Sequence, residues 1–211
     1  MRNLIDLISK LKHAHHRIRL TLAAKADLAW WDKGLDLFHG TTGFNCDVPL
    51  PSYEFSTDVC LVGGGAHFQD QWFYVNWHTD MPEISDSHIN ILELEVIHIA
   101  AELWGEHWRG KHILVRSDNS ATVSAINKGS VRNPAMLAII QQMFWLSVKF
   151  EFRLSAAFLP GRLNILSDNI SRLHSIDSSI NLGSFLGSDI ECNGHMSQNM
   201  FMFLQNQWMS E

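Results

Sequence analysis

The order of apolar patterns between residues 55 and 173 restricts the possible folds of this chain more than any other feature. Strands are predicted at 55–62, 65–69, 72–77, 112–117 and 150–158. A helix from about 90 to 108 separates the third strand from the fourth, two helices separate the fourth from the fifth, and a short helix follows Pro160-Gly161. This order predicts an α/β fold with a mixed five-stranded sheet flanked by helices.

The first 50 residues have a different pattern and are predicted to form a helical connection segment. Residues 2–25 show apolar side chains near helical spacing, and Asp27 is a candidate cap for a second helix that ends at Gly40. A stretch with Gly, Pro and Ser, roughly 40–53, is predicted to be a linker. We therefore expect a connection segment at 1–50, a main domain at 54–174 and a tail of unknown structure at 175–211.

Length and composition agree with a globular domain. The chain has 211 residues, of which 46% are hydrophobic and 18% charged, so it can bury a core. No run of about 18 apolar residues is present, which predicts no membrane partner and an intracellular location, in the cytoplasm or nucleus. Its three cysteines are scattered without a C-x-x-C pair, which fits a reducing compartment and argues against a zinc site.

Charge is distributed unevenly along the chain, although the net charge is −6. Residues 26–106 carry fourteen acids and only Lys33, whereas residues 107–172 carry nine Lys or Arg and three acids. Two of those three acids, Asp118 and Asp168, belong to the candidate site described next. A basic region around an acidic site is what binding to a phosphate backbone requires. The alternative is an ordinary solvated surface.

Four acids stand at positions where one mixed sheet brings them together. Asp58 lies in a strand pattern, Glu93 in a helical pattern, Asp118 at the end of the next strand, and Asp168 in the final helix. Hard divalent cations prefer carboxylate oxygens, and two such ions about 3.5–4 Å apart stabilise an in-line phosphoryl displacement. The four residues are therefore candidate catalytic groups and metal ligands.

Each of these acids also has a structural alternative. Glu93 could complete a capping box with Asn90, and Asp118 or Asp168 could cap or favour the start of a helix. Helical phase favours Glu93 over Glu95 as a ligand, because Glu93 shares a stripe with apolar side chains. Glu95 shares one with His98, Glu102 and Glu106, which predicts a solvated face.

These motifs, in this order, resemble the ribonuclease H domain of retroelement reverse transcriptases. The resembling pieces are Thr57-Asp58 through Gly65-Ala66, Ile89 to Leu94, Ser117 to Ser120, and the run from Pro160-Gly161 through Asn164 and Ser167-Asp168 to Ser171-Arg172. The upstream segment Asp27-Leu28-Ala29-Trp30-Trp31 is similar to the linker between polymerase and ribonuclease H in DIRS-like, tyrosine-recombinase retrotransposons. The family often has a histidine near the last acid, but this chain offers only His174.

The resemblance implies a ribonuclease H-like fold and endonucleolytic hydrolysis of the RNA strand of RNA–DNA hybrids. It implies two Mg²⁺ ions, with Mn²⁺ able to substitute, and a polymerase part of the same polyprotein as partner. Two alternatives remain open. One is an inactive nucleic-acid-binding or connection module, and the other is an integrase-like nuclease on the same fold.

Several residues are predicted to contact the hybrid. Gly63 and Gly64 would allow close approach of the backbone to 2′-hydroxyl groups, although a bulged hairpin explains them equally well. Asn119, Ser120 and Asn164 carry groups that bind phosphate or sugar, but also cap helices and form turns. Arg162 belongs to the basic set that would attract a duplex.

Overall fold

The computed structural model describes residues 2–13, 15–36 and 50–175, and it divides the chain into two compact units, Met1–Cys46 and Asp47–Glu211. The predicted tail at 175–211, apart from its first residue, and the helix end at Gly40 lie outside the described residues. No helix in the described ranges is long and apolar enough to cross a bilayer.

In the first unit, the predicted continuous helix at 2–25 is wrong. Helix α1 covers Arg2–Ile8, and helix α2 covers Leu22–Gly34. The second helix begins where it does because Thr21 caps it, its hydroxyl accepting a hydrogen bond from the Ala24 amide at 3.2 Å. Asp27 is therefore not a cap. It lies inside α2, where its carboxylate accepts hydrogen bonds from the Leu4 amide and the Asn3 side chain and so connects the two helices.

The second unit contains the predicted mixed sheet of five strands, in the order β3-β2-β1-β4-β5. The strands are β1 (Tyr53–Val59), β2 (Gly63–Phe68), β3 (Gln71–Asn76), β4 (His112–Ser117) and β5 (Arg153–Phe158). The first three form antiparallel pairs, whereas β1 pairs with β4, and β4 with β5, in parallel. Parallel pairs require crossover connections, which the helices between these strands supply.

Helices cover both faces of this sheet. They are α3 (Trp77–Asp80), α4 (Ile89–Trp104), α5 (Ser120–Lys128), α6 (Pro134–Lys149) and α7 (Ile165–Ser171). Successive side chains of β3 point to opposite faces of the sheet. Phe73 and Val75 join the main core with α4 and α6. Trp72 and Tyr74 point the other way and pack with Ile170 of α7. The sheet thus separates a large core from a smaller one.

The glycine run lies within β2 and permits close packing on both faces. A Cβ atom on Gly64 would lie 2.5 Å from side-chain atoms of Trp77 and Val96, and one on Gly65 would lie 2.3 Å from Ile170. A larger residue at either position would force α4 or α7 away from the sheet. The predicted strand at 55–62 is too long at its end: β1 stops at Val59, and Cys60 to Val62 form the turn into β2.

Candidate active site

Two of the predicted acids lie at the carboxyl ends of neighbouring parallel strands. Asp58 is the penultimate residue of β1, and Asp118 directly follows β4. The parallel register pairs Ser56 with Arg116, so its continuation by two residues brings Asp58 opposite Asp118. Asp58 is buried, with 6% of its surface exposed, whereas Asp118 is partly exposed. Asp118 does not cap α5, because Asn119 does, its side-chain oxygen accepting from the Ala121 and Thr122 amides.

Glu93 reaches the same edge of the sheet from helix α4. It is 3% exposed, and its carboxylate accepts a hydrogen bond from the Ser117 hydroxyl at the end of β4, at 3.4 Å. The helix begins at Ile89 and is capped by His88, whose ring nitrogen accepts from the Asn90 amide. Asn90 is therefore not the N-cap, and the capping-box explanation of Glu93 is excluded.

The fourth acid, Asp168, lies in the first turn of α7 and, unlike Asp58 and Glu93, is not buried. Its side chain is 39% exposed and pairs with Arg172 one turn later, the guanidinium Nε donating to Oδ1 at 2.7 Å. The same helix also contacts Asp58, because Oδ2 of Asp58 accepts a hydrogen bond from the hydroxyl of Ser171 at 2.7 Å. One short helix therefore contacts two of the four acids.

The four carboxylates are close enough to affect one another's ionisation. Burial, together with the charges of Asp118 and Asp58, raises the pKa of Glu93 to about 8. Burial also raises the pKa of Asp58 to about 6; the Ser171 hydrogen bond opposes this, and the charges of Asp118 and Asp168 add to it. The Coulombic contributions link the four residues electrostatically, as the sequence pattern suggested. Burial and the neighbouring negative charges outweigh the contacts that favour the ionised forms, namely the Ser117 and Ser171 hydrogen bonds and the charge of Arg172.

Carboxylates are the donors that a hard divalent cation requires, so the donor chemistry of this group fits Mg²⁺ or Mn²⁺. The raised pKa values indicate where positive charge would be stabilising. In the described residues, however, no three His, Cys, Asp or Glu side chains are arranged to hold a metal ion in their present conformations. The donor chemistry of the four carboxylates therefore fits the ions, but in this structure their side chains do not converge on one point.

The residues predicted to contact nucleic acid have different surroundings. Ser120 and Arg162 are exposed, whereas Asn164 is 2% exposed and donates to the Thr57 backbone oxygen at 2.8 Å. That bond attaches the segment before α7 to β1, next to Asp58. The Asn119 amide donates to Asn90 at 2.8 Å. Nucleic-acid contact by any of these residues stays a prediction.

The two glycines of the predicted interface are buried in strand β2. A Cβ atom on Gly63 would lie 2.5 Å from the Tyr74 ring, and the equivalent atom on Gly64 would meet Trp77. Close packing therefore accounts for Gly63 and Gly64 by itself. Their predicted contact with 2′-hydroxyl groups receives no support from this burial.

The prediction of a solvated face at Glu95, His98, Glu102 and Glu106 is wrong for its first three members. Glu95 and His98 are buried, and Glu102 is partly buried, because helix α6 packs against this side of α4. His98 contacts Glu95 at 3.0 Å and Glu102 at 3.5 Å. Charged side chains at this spacing predict solvent exposure, but here they contact an imidazole in the interior.

Sequence reasoning gave no role to Ser117, Ser171 or Arg172, although all three contact the candidate acids. A signal was available for two of them. Asp168, Ser171 and Arg172 are spaced i, i+3 and i+4, which places them on one side of a helix. Ser117 carries no comparable signal, because its contact depends on where α4 crosses the end of β4.

Comparisons with known proteins found similar solved structures. No protein-family model and no curated protein matches the chain. It is similar to the solved N-terminal RNase H domain of Rv2228c from Mycobacterium tuberculosis, with 14% identity, 56% of this chain and 91% of that chain covered, and a TM-score of 0.41. It is also similar to RNase H1 from the archaeon Halobacterium salinarum NRC-1, with 13% identity, 56% and 90% coverage, and a TM-score of 0.41.

The strand order and the two parallel pairings define a ribonuclease H-like fold, with four acids near the carboxyl ends of β1 and β4. At 14% and 13% identity and a TM-score of 0.41, these two likenesses carry no conclusion about activity or substrate, and the fold assignment rests on the strand order.

Proposed function

We propose that this protein is a metal-dependent ribonuclease that hydrolyses the RNA strand of RNA–DNA hybrids. One observation carries the proposal. Glu93 and Asp58 are buried beside further carboxylates, and their pKa values are raised to about 8 and about 6. Among the described residues, the exposed Arg172 is the only cation whose charge acts on Asp58, and none acts on Glu93. Keeping such a group uncompensated destabilises the folded protein, so a functional reason is expected.

In this proposal Asp58, Glu93, Asp118 and Asp168 would hold two Mg²⁺ ions, for which Mn²⁺ could substitute. Bound ions of this kind supply a lowered pKa for the attacking water and stabilise charge on the leaving 3′-oxygen. The protein's own groups orient the carboxylates: Ser171 donates to Asp58, and Ser117 donates to Glu93. The water attacks the scissile phosphorus directly, without a covalent enzyme intermediate.

Binding of the hybrid is proposed to use exposed basic and polar side chains near these acids. Arg162 and Ser120 are exposed and lie close in sequence to Asp168 and Asp118. Arg116 is less available, because its guanidinium binds both carboxylate oxygens of Glu54 at 3.0 and 2.9 Å. Salt-dependent binding is therefore expected, with shape and 2′-hydroxyl contacts selecting the hybrid.

The wider context is also a proposal, and sequence motifs alone support it. The motif order and the upstream Asp27 to Trp31 segment are similar to DIRS-like retrotransposon reverse transcriptases, which suggests a polymerase partner in the same polyprotein. The domain division at 1–50, 54–174 and 175–211 belongs to the same proposal.

Cleavage of three labelled duplexes at equal ionic strength, with and without Mg²⁺, tests the function. We expect cleavage of RNA in the RNA–DNA hybrid, little cleavage of double-stranded RNA and none of double-stranded DNA. Asp118→Asn keeps the shape of the side chain and removes its charge, so it should abolish cleavage while hybrid binding persists. Efficient cutting of double-stranded DNA would instead assign an integrase-like nuclease. No cutting of any duplex, with binding retained, would assign a non-catalytic binding module.

A further inference from the structure

Two neighbouring residues at the end of α7, its last residue Ser171 and the following Arg172, contact two of the four acids. Ser171 donates to Oδ2 of Asp58, and Arg172 donates to Oδ1 of Asp168, both at 2.7 Å. In the part of the chain that the structure describes, no hydrogen bond reaches the second oxygen of either carboxylate. Each acid is therefore held by one oxygen, and the other oxygen remains free to bind an ion.

Arg172 differs from Ser171 because it brings a charge. Within residues 50–175 it is the only Lys or Arg that forms an ion pair with any of the four acids, and its charge also acts on Asp58. The Arg172 side chain is 56% exposed, so little packing holds it in place. A solvent-exposed ion pair of this kind is weak and can be exchanged for another partner.

Charge balance suggests what that other partner is. Four ionised carboxylates carry four negative charges, and two divalent ions would neutralise all of them. The guanidinium of Arg172 would then be surplus, and a phosphodiester group of bound nucleic acid would supply the missing negative charge. Guanidinium groups bind phosphate with two parallel hydrogen bonds, so this exchange is chemically favourable.

We propose that Arg172 couples the binding of divalent ions to the binding of nucleic acid. In the free protein it pairs with Asp168 and opposes ion binding by charge repulsion. When nucleic acid binds, the guanidinium moves to a backbone phosphate, and Asp168 is released to hold an ion. This inference rests on the proposed function, since it assigns a regulatory role within the same acidic site.

The proposed opposition of Arg172 to ion binding is tested by measuring Mn²⁺ binding to the full chain without nucleic acid. Electron paramagnetic resonance detects the bound Mn²⁺. Arg172→Gln should bind Mn²⁺ at least about fivefold more tightly than the wild type, because it removes a repelling charge, and Arg172→Lys should remain close to the wild type. Arg109→Gln is the matched control. Arg109 is also 56% exposed and pairs with an acid, Glu151, outside the candidate site. It should leave Mn²⁺ affinity unchanged, and thermal unfolding should show that each variant is folded.

The proposed transfer of Arg172 to a backbone phosphate is tested by measuring binding of an RNA–DNA hybrid in the absence of divalent ions. Arg172→Gln should weaken hybrid binding and reduce the slope of log affinity against log salt by about one, because one phosphate contact is lost. Arg109→Gln should change neither quantity.

The outcomes separate this inference from the proposed function. Unchanged or weaker Mn²⁺ binding in Arg172→Gln overturns the inference, and tighter Mn²⁺ binding with unaltered hybrid binding overturns the transfer to phosphate. If the wild type binds Mn²⁺ and Asp118→Asn does not, the proposed function stands whatever Arg172 does. If the wild type binds no Mn²⁺ with or without hybrid, both proposals fail.

Discussion

Helix α4 carries acids on two sides, and their surroundings differ. Glu93 faces the ends of β1 and β4, where Asp58 and Asp118 raise its pKa and a serine hydroxyl is its hydrogen-bond partner. Glu95 and Glu102 face α6, and both contact His98. Burial alone would lower the pKa of His98, but the hydrogen bond and charge of Glu95, together with Glu102, raise it above its ordinary value.

This difference separates two kinds of environment for an acid on helix α4. His98 contacts both neighbouring carboxylates, which raise its pKa, so Glu95 and Glu102 have a partner within the fold. Glu93 and Asp58 lack such a partner on the helix and strand that carry them, and positive charge from outside would stabilise them. Burial is thus common to both groups, and direct contact with His98 distinguishes Glu95 and Glu102 from Glu93.

The largest expected effect is that of Glu93→Gln on hydrolysis. Loss of one ion ligand should remove about 4 kcal/mol of transition-state stabilisation, which corresponds to about a 10³-fold fall in kcat/KM. Steady-state cleavage of the hybrid measures it. Activity within tenfold of the wild type would remove Glu93 from the candidate site and end the contrast with Glu95.

The same variant should stabilise the metal-free protein at neutral pH. The pKa of Glu93 is raised from 4.5 to about 8, so the folded state binds more protons than the unfolded state between these values. Stability of the wild type therefore falls as pH rises from about 4.5 to about 8. Urea unfolding in EDTA should show that Glu93→Gln gains stability relative to the wild type across this window. A difference between the two proteins that does not vary with pH would contradict the raised pKa.

The next effect in size concerns the compensated group. His98→Gln leaves Glu95 and Glu102 without a cation, which should cost about 3 kcal/mol of unfolding free energy. Mn²⁺ binding should not change, because this side of α4 faces α6. The double variant Glu95→Gln/His98→Gln should lose less than the sum of the single variants, since the two residues interact directly. Lost metal binding in a stable His98→Gln protein would show that both groups belong to one site.

The sequence predicted the five-stranded sheet well, because strands depend on local patterns. Alternation, turn residues and helix caps are local signals, and they located β1 to β5 and helices α4, α5 and α6, but not the short helix α3. The boundary between α1 and α2 was missed, since the apolar spacing at 2–25 continues across residues that are not helical. A helical period shows which side chains share a face, but not that the chain forms the helix.

The environment of each side chain could not be predicted in the same way, because it depends on which elements pack together. Glu95 and His98 have the sequence pattern of a solvated face until α6 covers them. Gly64 has the pattern of a nucleic-acid contact or of a bulged hairpin until Trp77 and Val96 are placed against it. Arg172 follows Asp168 at a spacing that predicts an ion pair, yet its relation to the other three acids depends on where α7 crosses the sheet.

The smallest expected effect is that of Glu106→Gln, the last member of the stripe predicted to be solvated. Glu106 lies beyond the end of α4 at Trp104 and is exposed, so its neutralisation should change the unfolding free energy by less than about 0.5 kcal/mol. Glu95→Gln is the same chemical change on the same stripe, but it removes a buried contact with His98 and should cost about 1.5 kcal/mol or more. Urea unfolding of both variants at one pH compares them directly. Equal effects would mean that α6 does not shield Glu95, and the distinction between a compensated and an uncompensated group would then lose its structural basis.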